Sequence, residues 1–217
     1  MFIGHFGVGF GAKSFSPKVS LGTLFLAAQF LDLLWPTLLL LNLEHVRILP
    51  GATAVTPLIF EYYPISHSLF AVLIWSALIG ALYYYFRRDR IGACVVGILV
   101  ASHWILDAIV HQPDLPIFPG SNLLIGLGVW SSLPLTLAIE LPLFALGVWL
   151  YVRSTTAVNA RGKWGLWGLI IFLLIIHAGN LMGDPPPTPE AIAWVGQAQW
   201  LLVLWAYWVD KHRSNAT

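Results

Sequence analysis

The sequence predicts an all-α, polytopic integral membrane protein: a bundle of about six transmembrane helices preceded by a short apolar helix, with both termini cytoplasmic. Three observations point there. Hydrophobic residues make up 58% of the 217 positions and charged residues only 10%, far from the balance of a water-soluble domain. The apolar residues gather into runs close to the roughly 20 needed to cross a hydrocarbon core. The connections between runs alternate between basic and nearly free of Lys and Arg.

The runs fall at Val19 to Leu41, Ser66 to Phe86, Ile91 to Val110, Leu133 to Val152, Trp164 to Met182 and Ala191 to Val209. FRRDR and RSTTAVNARGK are short and basic, whereas residues 42–65, 111–132 and 183–190 together hold only Arg47. Placing the basic connections in the cytoplasm puts 10 of the 11 Lys and Arg residues inside, including Lys13, Lys18, Lys211 and Arg213 near the ends. No internal repeat is visible, so a single domain covers 1–217. Pro36 and Pro142 fall within runs, where each would free a backbone carbonyl and bend its helix; the bend at Pro36 would help aim Asp32, one turn away.

The first twelve residues, MFIGHFGVGFGA, are apolar but too short to span, and they lack the basic start and small-residue cleavage site of a secretory signal. Two placements stay open: a segment that re-enters the membrane against protein, or a helix lying flat at the interface. The choice decides whether His5 reaches the interior. The net charge of +1 and the scattered basic residues exclude a nucleic-acid footprint. The lone Cys94 permits no internal disulfide and reads as a small buried hydrophobe.

Ionisable groups inside apolar runs cost several kcal/mol by insertion scales and therefore carry the functional signal. Asp32, His67, His103, Asp107, Glu140 and His177 are such groups. At about 1.5 Å of rise per residue, all six fall between the midplane and the outer surface, and one shared pocket accounts for them more economically than six separate burials. SHWILDAIVHQPD sets His103, Asp107 and His111 four residues apart on one helical face. A helical HxxxD pair can bind a cation, or it can simply staple a bundle; His111, next to Pro113, sits where the helix ends and reads as a residue of the pocket mouth. Ser66 reads either as the helix N-cap or as a neighbour of a ligating His67. Asp32 and Glu140 have no basic residue in their own runs, which favours a metal or shared proton for Asp32 and a general-base role for Glu140. His177 reads as a structural histidine bonded to a carbonyl.

GHFGVGFGAK, LDLLWP, YPISHSLF and SHWILD resemble, in order and spacing, motifs of the bacterial inner-membrane metal-dependent hydrolase family that includes the LexA-regulated membrane proteins. The resemblance covers about the first 120 residues. That family shows GH near its start, then D-x-D-H-P, HRGxTHS and SHxxLD, a metal-binding set like that of the zinc-dependent phospholipase C-like helical fold. The resemblance implies metal-binding roles for His5, Asp32, His67, His103 and Asp107. This chain departs from the pattern at Leu34 and Trp35, where the family has aspartate and histidine, and at Tyr62, Tyr63 and Pro64, where it has HRG.

An imidazole and carboxylate set without thiolate suits zinc, with manganese or iron as alternatives. The expected activity is hydrolysis of an ester or phosphoester of an amphiphilic or lipid-linked substrate, with Glu140 or Asp32 accepting the proton of a metal-activated water. The expected location is the bacterial inner membrane, and the expected partners are the bilayer and a lipid-like substrate. Three alternatives use the same residues: a cation- or proton-handling transporter, a haem-binding subunit, and a non-catalytic membrane subunit.

Overall fold

In the computed structural model, which describes residues 1–216, the chain is mostly helical, and each long helix begins where a polar side chain caps it. Ser20 accepts from the Thr23 amide to start α2 (Leu21–Ala28), which is followed after one residue by α3 (Phe30–Leu40). A hairpin of β1 (His45–Ile48) and β2 (Leu58–Tyr62) leads to the single turn α4 (Pro64–His67). Ser68 then caps α5 (Leu69–Arg87), and Asp89 caps α6 (Arg90–Val110). After the two-residue strands β3 (Leu115–Pro116) and β4 (Leu124–Ile125), Ser132 caps α7 (Leu133–Ser154). Strand β5 (Thr155–Ala157) precedes α8 (Ala160–Met182), capped by Asn159. Thr188 caps α9 (Pro189–Gln197), α10 (Gln199–Asp210) continues it, and β6 (Arg213–Asn215) pairs antiparallel with β5. Such caps satisfy amide groups that a helix start would otherwise leave without partners.

Five segments are long and apolar enough to cross a membrane: α5, α6, α7, α8 and the α9–α10 pair. The first apolar run differs from expectation. It is one segment broken by 56° between α2 and α3, and the break falls at Gln29 rather than at Pro36. Helix α3 runs unbroken through Pro36, whose missing N–H frees the Asp32 carbonyl; the Gln199 amide donates to that carbonyl at 3.5 Å. Helix α9 crosses closely here because Gly196 faces the Pro36 ring, and a Cβ at Gly196 would collide with it.

The short helix α1 (Ile3–Ala12) is buried along almost its whole length, which fits a re-entrant segment and not one lying flat at the surface. Its glycines explain how it enters. Gly7 lies against the backbone of Leu143 and Phe144, and a Cβ on Gly147 would strike the Gly7 carbonyl, so α1 and α7 pack backbone to backbone. Close packing through small residues is the usual way helices associate where lipid removes the hydrophobic drive. Phe6 and Phe10 then fill the space between α2 and α7, with Phe25 edge-on to both. Outward, the long helices expose Leu, Ile and Phe side chains such as Leu73, Ile98, Ile105, Ile171 and Leu204, as a lipid-facing surface requires.

Candidate metal centre

Two overlapping groups of potential ligands share His103: His5–His103–Asp107 and Asp32–His67–His103, with ligand atoms within 4.8 Å of one another in each. The five residues come from four helices, α1, α3, α4 and α6. His103 and Asp107 stand one turn apart on α6, with Nε2 3.1 Å from Oδ2. Asp32 Oδ1 lies 3.6 Å from His103 Nε2 and 3.7 Å from His67 Nε2. His67 Nε2 lies 3.7 Å from Asp107 Oδ2. His5 stacks flat on His103, ring centroids 3.7 Å apart, with its Nε2 3.0 Å from Asp107 Oδ1. The Met1 amine also meets that oxygen, at 2.5 Å. Asp32 is the most open member, its side chain 26% exposed against 5% or less for the other four.

The hydrogen bonds behind the cluster fix which imidazole nitrogen faces it. His103 Nδ1 lies 2.7 Å from the Ala28 carbonyl, which can only accept, so Nδ1 carries the proton and Nε2 of the neutral ring is bare. The Ala28 carbonyl is presented at the end of α2, beside the Gln29 break. His67 is oriented by a buried relay. Ser66 Oγ donates to Glu44 Oε2 at 2.6 Å and lies 2.6 Å from His67 Nδ1. The hydroxyl has one proton and the carboxylate takes it, so His67 Nδ1 must donate to Ser66, leaving its Nε2 bare as well. Glu44 is fixed in turn by the Ile65 and Ser66 amides, at 2.7 and 2.8 Å, both on Oε1. Neighbours of this kind, which hold a ligand's ring and tautomer, are characteristic of metal-binding histidines.

Bare His67 and His103 nitrogens therefore converge with two carboxylates; among the described residues neither carboxylate pairs with a Lys or Arg, and the Met1 ammonium engages Asp107 through Oδ1, leaving Asp107 Oδ2 and Asp32 Oδ1 turned towards those nitrogens. His103 Nε2 is buried without a hydrogen-bond partner although Asp107 Oδ2 is 3.1 Å away, because the atoms are not aligned as donor and acceptor. An acceptor-rich pocket with an orphaned nitrogen fits a cation bound by N and O donors. His5 is held the opposite way: its Nε2 donates to Asp107 Oδ1, which can only accept, so its bare nitrogen is the buried, unpartnered Nδ1, and ligation through Nε2 would require that proton to leave.

His111 is buried. Its Nδ1 donates to Asp114 Oδ1 at 2.9 Å, and its Nε2 lies 4.0 Å from Asp107 Oδ1, at the rim of the cluster. Tyr63 donates to the same Asp114 oxygen at 2.6 Å, and burial, reinforced by that carboxylate, pushes the phenol well above its ordinary pKa. Phe60 and Trp130 flank the His111 ring at centroid distances of 4.7 and 4.3 Å, forming an aromatic edge under the two long connections. The Ala54 amide donates to the Trp130 carbonyl and ties those connections together.

Two of the six ionisable residues of the apolar runs fall outside both ligand groups. Glu140, on α7, accepts from the Phe2 and Gly4 amides at 3.0 and 3.4 Å and so caps the start of α1, behind His5. His177, on α8, has no carbonyl partner; both ring nitrogens are unpartnered and the ring stacks on Phe2. Ser66 is not an N-cap, since Ser68 caps α5 and donates to the Pro64 carbonyl. Glu44 carried no sequence signal, because it lies in a loop with no periodic spacing to the ligands. Comparison with protein-family models, curated proteins and solved structures finds no match to this chain.

Proposed function

We propose that this multi-pass membrane protein is a metal-dependent hydrolase of the bacterial inner membrane, with both termini cytoplasmic, acting on an ester or phosphoester of an amphiphilic or lipid-linked substrate. The observation that carries the reading is the convergence of the His67 and His103 Nε2 atoms, each with its Nδ1 committed as a donor, on the carboxylates of Asp32 and Asp107. His67, His103, Asp32 and Asp107, with His5 from α1, would hold a divalent ion, zinc by its donor set, with manganese or iron as alternatives. Such an ion supplies a Lewis acid and lowers the pKa of a coordinated water towards neutrality.

The protein's own groups divide the remaining work. Asp32, the partly exposed carboxylate, would hold the ion through one oxygen and accept a proton from an arriving water through the other. Asp107 lies deeper and anchors the cluster between His5 and His103. Glu140 already accepts two amides and holds α1 in place, which favours Asp32 over Glu140 as the general base. The aromatic edge of Phe60 and Trp130 suits an acyl or prenyl chain beside the reacting group.

The test is turnover of phospholipid, lipid-phosphate and acyl-ester substrates in mixed micelles by metal-loaded protein, by chelated protein and by Asp32→Asn. Hydrolysis that needs the metal and falls about 100-fold or more in an Asp32→Asn variant that still binds it supports the reading. Stoichiometric metal with no turnover of any of the three classes would overturn the enzyme and leave a cation-handling membrane protein.

A further inference from the structure

Far from the candidate metal centre, at the end where the basic connections gather, a recess of about 550 Å³ opens between the start of α2 and the ends of α5 and α10. We propose that it binds a phosphate-bearing anion, either the headgroup of an anionic phospholipid or free phosphate. This inference is independent of the hydrolase reading.

Three cations from separate parts of the chain line the recess: Lys18 before α2, Arg87 at the end of α5 and Lys211 just after α10. None of the three forms a salt bridge among the described residues. The one acid in the lining, Asp210, is already engaged, by the Lys13 ammonium at 3.1 Å and by the Tyr151 hydroxyl at 3.3 Å. The recess therefore holds uncompensated positive charge, a state that favours an anion.

Its wall adds a directional donor. Ser20 Oγ lies 2.9 Å from Thr23 Oγ1, which lies 2.9 Å from the Tyr207 hydroxyl, forming a chain of three hydroxyls across α2 and α10. Two bonds use two of the three protons, so one hydroxyl proton is left over for a ligand oxygen. Phe86, exposed on the outer lip, gives the recess an apolar side towards the lipid. Basic pockets between transmembrane helices, at the level of the headgroups, take phosphate in this way.

The experiment is native mass spectrometry of the delipidated protein in detergent, titrated with phosphatidylglycerol, phosphatidylcholine or inorganic phosphate. The variants are Lys18→Gln/Arg87→Gln/Lys211→Gln and a control with equal charge loss, Arg153→Gln/Arg161→Gln/Lys163→Gln. Saturable binding of one phosphatidylglycerol, weakened at least about tenfold in the recess variant but not in the control, assigns a lipid headgroup. The same pattern with inorganic phosphate alone assigns a free anion. Equal binding of phosphatidylglycerol and phosphatidylcholine by the unmodified protein with no saturable phosphate binding, or equal losses in both variants, would overturn the proposal; the first comparison needs no variant to fold.

Discussion

Replacing Glu44 by Gln should reverse the tautomer of His67 and weaken metal binding without touching a ligand. The Ile65 and Ser66 amides both donate to Oε1, so the Gln carbonyl takes that place and its NH₂ group faces Ser66 where Oε2 stood. An NH₂ group donates, so the Ser66 proton must turn to His67 Nδ1, 2.6 Å away. Nδ1 then accepts and the proton moves to Nε2, where it points at Asp32 and Asp107 in place of a lone pair. Loss of such an orienting contact costs about 10- to 100-fold in metal affinity, or about 1.4–2.7 kcal/mol. The fold loses the charge-assisted part of three hydrogen bonds, about 1–2 kcal/mol in total. Zinc affinity, measured in detergent by competition with a chromophoric chelator, reads the first effect, and the ¹⁵N shifts of the histidine rings read the tautomer. Zinc affinity within about twofold of the unmodified protein, in a variant with full helical content, would refute the relay.

Three further outcomes follow from the packing and the polar network. Gly147→Val forces a side chain onto the Gly7 carbonyl, so α1 must move off α7; an overpacking cost of about 1–3 kcal/mol should appear as a lower unfolding temperature, with weaker metal binding as His5 withdraws. Glu140→Gln leaves the Phe2 and Gly4 amides a weaker acceptor and should loosen α1, raising hydrogen exchange there, while turnover changes far less than in Asp32→Asn. Tyr63 has its pKa raised in the fold above the ordinary 10.0, so its bond to Asp114 contributes stability that is fully present below pH 10.0 and is lost as pH climbs towards the folded value. Unfolding measured by circular dichroism should therefore show an alkaline loss that Tyr63→Phe diminishes.

The apolar runs were legible because a 20-residue hydrophobic segment has few alternatives, and α5 to α8 begin and end within a few residues of where composition puts them. The coming together of His5, Asp32, His67, His103 and Asp107 could be anticipated because buried ionisable groups at similar depth need one another. The bend was not legible, because Pro36 is the visible helix breaker whereas the chain turns at Gln29, whose unpartnered buried amide has no local signature in LAAQFLD. The β1–β2 hairpin was hidden in a connection read only for its lack of charge. Glu44 was invisible for a related reason. It acts on His67 through Ser66 from a loop with no period from which the contact can be read, whereas Asp114 lies only three residues beyond His111. The glycines of α1 were in plain view, but their meaning depends on Gly147, more than a hundred residues away.

Metal analysis of the detergent-purified protein, set beside a His103→Ala/Asp107→Ala variant, decides whether the cluster is a metal centre. The residue that both ligand groups share and the carboxylate beneath it are removed together, and circular dichroism reports whether the bundle survives. The account predicts stoichiometric zinc, manganese or iron in the unmodified protein and its loss from the folded variant. A unmodified protein that binds none of these ions when they are offered at neutral pH, or a folded variant that keeps its metal, would contradict it.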